Sequence, residues 1–209
     1  MIYGVAVNDL PNHRTQICKY VEGLTKTGKK KKVTVWQCPF YSRWFLMLSR
    51  CYKVSELEKH PTYNKVTVCE EWLKFSNFKT WMETQPWQGN QLDKDILFPG
   101  NTEYSKDTCC FVSQEVNKFI LEKTASRDLP IGVIYHKKKA KFIAAISTGK
   151  NAKIEHLGNF NCPNKAHLAW AERKLEFAKE IASKQSDERV AKALVDRYTQ
   201  ILVKAKEKV

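Results

Sequence analysis

The chain has 209 residues, of which 43% are hydrophobic and 28% are charged. This composition can bury a core and excludes a globally disordered protein. The 36 Lys and Arg residues outnumber the 22 Asp and Glu residues, giving a formal net charge of +14. Such a charge predicts a polyanionic partner, with nucleic acid as the first choice and an acidic membrane surface as the second.

Targeting and metal-binding signals are weak. The longest apolar runs fall far short of the roughly 18 residues that span a bilayer, so no membrane-spanning segment is expected. Residues 1–7 lack a basic leader and predict a short strand instead of a signal peptide. The seven cysteines include no Cys-x-x-Cys pair, which predicts a reduced, cytoplasmic protein without structural zinc.

The first forty residues hold few apolar anchors and are predicted to be loosely organised. Their lysine-rich stretch, residues 26–32, fits either a solvated loop or a phosphate-binding arm. From Phe40 to Tyr52, aromatic and aliphatic residues recur at helical spacing. This pattern predicts an amphipathic helix whose aromatic face packs into a core.

The next segments alternate between strand and helix patterns. We expect a strand at residues 65–68, a helix across 72–82, and strands at 92–98 and 108–112. Ser113 is a candidate N-cap for a helix over 114–122.

A polar segment, residues 123–130, is the predicted boundary between two domains, 1–124 and 125–209. Beyond it, three strand-like runs at 132–135, 141–146 and 154–160 are separated by turn signals. Pro163 opens a long helix, and a second amphipathic helix ends the chain.

Both predicted domains are basic, and the shorter one is the more strongly charged. Residues 125–209 carry a net charge of +9, against +5 for residues 1–124. The fold class that follows from these elements is α+β, with helices in the first part and a three-stranded sheet with helices in the second.

The second part, over about residues 129–180, resembles the AP2 DNA-binding domain. The residues that carry this resemblance are Gly132-Val133, Ala144, His156-Leu157-Gly158-Asn159-Phe160 and Ala166-His167-Leu168-Ala169-Trp170. In that family a three-stranded antiparallel sheet enters the major groove and a helix packs on its back, and a strand ribbon does fit a groove about 12 Å wide.

The AP2 resemblance implies a set of DNA-contacting side chains. The groove-facing positions carried over are Ile134, His136, Lys141, Ala145, Ser147, Lys153 and His156, with Phe142 at a position where the family favours an aromatic. The lysines suited to phosphates are Lys137, Lys138, Lys139, Lys141, Lys150 and Lys153. Plant members place arginines where this chain has Ile134, His136 and Ser147, so weaker or different base reading is expected. The alternative is a sheet whose lysines only keep it soluble.

The first part, roughly residues 36–122, resembles phage-encoded HNH endonucleases, mobile or homing nucleases that often carry an AP2 module. The matching segments, in order, are Cys38-Pro39-Phe40-Tyr41, His60-Pro61-Thr62-Tyr63, Val68-Cys69-Glu70-Glu71-Trp72, Leu92-Asp93-Lys94-Asp95, Gly100-Asn101 and Cys109 through Asn117. The resemblance implies a degenerate ββα hairpin-helix unit that holds one divalent metal, Mg²⁺ or Mn²⁺, against the scissile phosphate.

By this resemblance, Asp93 from the strand and Asn117 from the helix are the metal ligands. Lys94 or Asp95 occupies the position of the family's histidine base, and Thr108 that of its middle asparagine. Lysine is normally protonated at neutral pH, which makes Asp95 the better base candidate.

Three further residues have two interpretations each. His60 either supplies an imidazole to the site or caps a turn before Pro61. Arg43 and Arg50 either hold a phosphate or face solvent.

The sequence leaves three functions open. The first is a metal-dependent endonuclease that acts on double-stranded DNA as a monomer. The second is a nuclease-derived protein without catalysis that occupies DNA as a repressor, an architectural factor or a block to a host enzyme. The third uses the basic surface for RNA or for an acidic protein.

Overall fold

The computed structural model describes residues 1–25, 27–120, 128–147 and 154–209. Its architecture is α+β, as predicted. The chain divides into two compact units. The first unit is Met1–Gln88 with Gly100–Phe111, and the second unit is Gly89–Pro99 with Val112–Val209. The predicted boundary at residue 124 falls within 121–127, outside the described residues.

The described elements are as follows. The strands are β1 (Gln16–Leu24), β2 (Lys30–Gln37), β3 (Thr67–Val68), β4 (Gln91–Asp93), β5 (Glu103–Tyr104), β6 (Cys110–Val112), β7 (Val133–His136), β8 (Lys141–Ser147) and β9 (Ile154–Phe160). The helices are α1 (Pro39–Tyr52), α2 (Val54–Lys59), α3 (Phe75–Glu83), α4 (Gln114–Ile120), α5 (Pro163–Ala182) and α6 (Glu188–Lys206). Single 3₁₀ turns occur at Pro61–Tyr63, Glu70–Leu73 and Lys137–Lys139.

The N-terminal residues are more ordered than predicted. β1 and β2 form an antiparallel hairpin in which Gln16 lies opposite Gln37 and Leu24 opposite Lys30. The prediction of a loosely organised segment was therefore wrong. Almost every side chain of the hairpin is exposed, so no buried face imposes the alternating pattern from which a strand is predicted. Residues 1–7 form a turn with isolated bridges at Ile2–Ala6 and Val7–Lys74 and not the predicted strand.

The core of the first unit lies between α1 and α3. Trp44 of α1 is fully buried, and its indole N–H donates to the carbonyl of Trp72 at 2.6 Å. The Trp44 ring lies 5.3 Å from the ring of Phe75, the first residue of α3. The predicted amphipathic helix is thus confirmed, whereas the helix predicted over 72–82 starts only at Phe75, after a 3₁₀ turn.

In the second unit, β7, β8 and β9 form an antiparallel sheet in that order. Val133 and Ala144 lie on one face and pack with Ala166 of α5. Ile146 lies on the same face, against Trp170 and the C-terminal part of α6. The sheet therefore has one face covered by helices, with α6 packed beside α5.

Candidate functional site

Asp93 ends β4 and shapes the turn that follows. Its Oδ1 accepts hydrogen bonds from the backbone N–H groups of Asp95 and Ile96, both at 2.8 Å. The strand predicted over 92–98 therefore stops at Asp93, because its carboxylate takes the backbone donors of the next residues. Burial raises the pKa of Asp93, and the two backbone hydrogen bonds act in the opposite direction.

Lys94 and Asp95 form an ion pair at this turn. The Lys94 side chain is buried, and its Nζ donates to Oδ1 of Asp95 at 2.7 Å. About half of the Asp95 side chain is exposed. The residue that is the better candidate for a base thus has one oxygen bonded to the ammonium of its neighbour.

Asn117 lies on α4, whose first turn is capped as predicted. The backbone N–H of Val116 donates to the hydroxyl of Ser113 at 3.2 Å. The Asn117 side-chain N–H donates to Oε1 of Gln91 at 2.5 Å. Because Gln91 is on β4, this bond joins the helix that carries one predicted metal ligand to the strand that carries the other.

The donor types of this pair fit a hard divalent cation. Carboxylate and amide oxygens are ligands that Mg²⁺ and Mn²⁺ accept. The Asn117 amide nitrogen is turned to Gln91, so the amide oxygen is its atom suited to a metal. Within the described ranges, no three His, Cys, Asp or Glu side chains gather into a metal-binding group. A cation held here would complete its coordination with water and phosphate oxygens.

The other two predicted catalytic residues, Thr108 and His60, belong to the first unit. The Thr108 hydroxyl donates to the carbonyl of Glu103 at 2.8 Å and accepts the backbone N–H of Ser105 at 3.2 Å, so it holds a turn together. β6 accordingly begins at Cys110 and not at Thr108. His60 is exposed where α2 ends, and its backbone carbonyl accepts from Tyr63 in the following turn.

Arg43 and Arg50 lie on α1. Arg50 is exposed at the surface and its guanidinium bonds to the hydroxyl of Tyr104. Tyr104 is buried, and this burial raises its pKa. Arg50 thus has a partner within its own unit, and Arg43 is half-buried and also engaged with other groups.

The strand register separates the candidate DNA contacts by face. Side chains along a strand point alternately to opposite faces, and Val133 and Ala144 point to α5. The residues that point away from α5, to the outer face, are Ile134, His136, Lys141, Ala145, Ser147 and His156. A bulge between Ala144 and Ala145 keeps His156 on this outer face, opposite Ala145. Phe142, expected among the DNA contacts, lies instead on the helix-facing side, where it packs against Val133, Ala144 and Ala166.

Lysines cluster at the turn between β7 and β8. Lys137 and Lys139 lie in its 3₁₀ turn and are exposed, and the backbone N–H of Lys139 donates to Nδ1 of His136 at 3.3 Å. Lys141 follows immediately and bonds to the side chain of Asn161. Lys150 and Lys153 lie outside the described residues.

The outer face of this sheet carries no carboxylate in the described strands. Glu155 is the single acidic residue of β7, β8 and β9 as described, and it lies on the helix side. Arg173 of α5 binds it there, with Nε 3.0 Å from a carboxylate oxygen. The outer face therefore presents Lys141, two histidines and Ser147 beside the apolar Ile134 and Ala145, with no carboxylate on the described strands.

Lys174 was missed by the sequence patterns. It is buried on α5, its Nζ donates to the carbonyl of Phe119 at 2.9 Å, and the ammonium lies 3.7 Å from the centre of the Phe119 ring. Tyr198 of α6 donates to the same carbonyl at 3.2 Å. The one sequence feature that indicates the burial of Lys174 is its position beside Leu175 on a helix face that is otherwise apolar. Both bonds are made to Phe119, near the end of α4 and two residues beyond Asn117.

Comparison with protein-family models, curated proteins and solved structures finds no match to this chain. None of the helices in the described part of the chain is both long and apolar enough to cross a membrane.

Proposed function

We propose that this protein binds double-stranded DNA through the outer face of the β7–β8–β9 sheet. The observation that carries the proposal is the placement of charged residues on this sheet: Lys141 lies on the outer face with His156, and Glu155, the one carboxylate of the described strands, is paired with Arg173 on the other face. An antiparallel ribbon can enter the major groove, and a face free of carboxylates avoids repulsion from phosphates.

The lysines of the β7–β8 turn extend this surface. Lys137 and Lys139 are exposed beside Lys141, where they suit phosphate oxygens along the groove edge. Ile134 and Ala145 on the same face suit apolar contact with thymine methyl groups. In this proposal the lysines position the sheet on the phosphates, and the apolar side chains make a small number of base contacts, in keeping with the AP2 resemblance.

The experiment is a salt titration of DNA binding. Replacing Lys137, Lys139 and Lys141 together with Gln removes three phosphate contacts, so the slope of log K against log salt becomes shallower by about 2 to 3. The matched control replaces three exposed lysines at the end of α6, Lys204, Lys206 and Lys208, and keeps the wild-type slope. A triple variant that binds like its control would contradict the proposal, and preference for structured RNA over duplex DNA would replace it.

A second candidate function is metal-dependent DNA cleavage by the residues around Asp93. The hydrogen bond between Asn117 and Gln91 favours it, because it joins the two elements that carry the proposed metal ligands. In this proposal Asp93 and Asn117 hold Mg²⁺ or Mn²⁺, which would supply charge stabilisation at the scissile phosphate, and Asp95 is the base candidate.

The ion pair between Lys94 and Asp95 favours the alternative, a DNA-binding protein without catalysis. The two are separated by incubating duplex DNA with wild-type protein and either metal. Cleavage that chelator abolishes and that Asp93→Ala and Asn117→Ala both lose, with binding intact, supports the nuclease. Tight binding without cleavage at any metal concentration supports a protein that acts by occupying DNA.

A further inference from the structure

We propose that the N-terminal hairpin, β1–β2, is a second DNA-contacting element that adds its own phosphate contacts. This inference rests on the proposed function and extends it to a surface to which neither resemblance assigns a role. Three observations on the hairpin carry it: exposure, distribution of charge, and shape.

The hairpin is exposed on both of its faces. Tyr20 and Leu24 of β1 are 69% and 67% exposed, and Val35 and Trp36 of β2 are exposed as well. Two-stranded ribbons without a packing layer are marginally stable in water. Apolar and aromatic side chains gathered on such a ribbon are typical of a contact surface.

Positive charge accompanies these apolar side chains. Residues 16–37 contain six lysines and one glutamate, a net charge of +5. In the register of the hairpin, Lys32 lies opposite Tyr20 and Lys31 lies opposite Val21. Successive residues of a strand point to opposite faces, so Lys31 and Lys32 put positive charge on both sides of the ribbon.

This distribution fits a groove between two rows of phosphates. A strand of nine residues extends roughly 30 Å at about 3.4 Å per residue. A two-stranded ribbon is one of the elements that the major groove admits. Lysines on both faces then reach the two phosphate backbones, and Tyr20 and Val21 contact sugars and base edges.

The same distribution argues against an anionic membrane as the partner. Elements that lie in a membrane interface separate an apolar face from a basic one. Here each face mixes the two, with Tyr20 next to Lys32 on one face and Val33 next to Lys19 on the other. Charge complementarity on both faces favours the DNA groove.

The test is a variant in which Lys29, Lys30, Lys31 and Lys32 are replaced with Gln. These lysine side chains are exposed, so the variant is expected to fold, and circular dichroism checks it. We expect weaker binding to duplex DNA and a salt slope shallower by about 3, because up to four phosphate contacts are lost. The matched control replaces four exposed lysines elsewhere, Lys184, Lys204, Lys206 and Lys208, and keeps the wild-type slope.

A measurement on the wild-type protein complements the variant. Duplex DNA should protect Lys29 to Lys32 from acetylation, while Lys184 and Lys208 stay reactive. If wild-type protein binds DNA but the hairpin lysines stay reactive and the quadruple variant keeps its slope, the hairpin has no such role while the proposed function stands.

Failure of the proposed function gives a different result, because wild-type protein then shows no salt-sensitive binding to duplex DNA. The membrane alternative is tested with vesicles of phosphatidylserine and phosphatidylcholine. Loss of vesicle binding in the quadruple variant, with DNA binding unchanged, would overturn the inference in favour of a membrane surface.

Discussion

The β7–β8–β9 sheet and the β1–β2 hairpin are both basic, but they are stabilised by different interactions. The β7–β8–β9 sheet has Ala144 and Ile146 buried against helices, and its outer face is defined by that burial. The β1–β2 hairpin has no covered face and is held by backbone pairing and its turn. Lysine content alone does not distinguish the two, whereas the presence of a helical layer does. The sheet should therefore respond strongly to core substitutions and the hairpin weakly.

The largest expected loss of stability comes from one of two glycines with similar backbone angles. Gly132, which precedes β7, has φ +80°, and a Cβ there would lie 2.1 Å from the Trp170 ring. Gly28 in the hairpin turn has φ +75° and open space around it. Gly132→Ala should cost roughly 2 to 5 kcal/mol, the sum of backbone strain and overpacking. Gly28→Ala should cost about 1 kcal/mol, from the strain alone. Urea denaturation of both variants measures this, and equal losses would contradict the proposed source of stability.

A slightly smaller loss is expected from a buried aliphatic side chain. Ile146 is 4% exposed and packs against Trp170, whereas Val33 of β2 is 40% exposed. Ile146→Ala should lower the free energy of unfolding by about 2 to 4 kcal/mol, because it removes buried methyl groups and leaves a cavity. Val33→Ala should change it by less than about 0.5 kcal/mol. A large loss from Val33→Ala would mean that the hairpin has a packed face after all.

The smallest effect concerns the helix pair behind the sheet. Asp187 caps α6 by accepting the backbone N–H of Arg189 at 2.9 Å, so Asp187→Ala should cost about 1 kcal/mol at pH 7. Hydrogen bonding from the Arg189 side chain lowers the pKa of Asp187. The ionised Asp187 carboxylate thus stabilises the folded protein above the ordinary pKa of an aspartate, and this contribution is lost as the pH falls through the lowered pKa.

Thermal unfolding of the wild-type protein and this variant at pH 7 and pH 2 measures that dependence. Asp196→Ala, which removes an exposed carboxylate from the same helix, is the control and should change stability little at either pH. A difference between wild type and Asp187→Ala that does not shrink at pH 2 would contradict the role of the ionised cap.

Packed elements were predictable because burial leaves a period in the sequence. The helix predicted from Phe40 is observed as Pro39–Tyr52, and the strand predicted over 141–146 is observed as Lys141–Ser147. The hairpin left no such period because both of its faces meet water. The strand that starts at Gln91 is shorter than predicted because the Asp93 carboxylate accepts the backbone N–H groups that strand pairing would otherwise use. No hydrophobic pattern indicates such a bond.

The residues of the candidate site came from the sequence, whereas the bonds between them came only from the structure. The resemblance to HNH endonucleases proposes Asp93 and Asn117 as ligands, while the bond from Asn117 to Gln91 spans 26 positions and leaves no local pattern. The pairing of Lys94 with Asp95 depends on burial of the ammonium, and the sequence holds no measure of that burial. Strand alternation fixes which residues share a face, so most of the sheet's outer positions were predictable, whereas Phe142, carried over with them, lies on the helix-facing side.

The burial of Lys174 has a consequence for dissecting this protein. Its ammonium lies over the Phe119 ring and bonds to the Phe119 carbonyl, both contributed by α4. A fragment that starts at residue 128 would contain the sheet with α5 and α6 but would remove that ring and carbonyl from around the charge. Part of the burial of Lys174 would be replaced by water, and Tyr198 would lose the same acceptor. A fragment that keeps the bonds of Lys174 and Tyr198 to Phe119 must therefore begin upstream of residue 128, at α4 or before it.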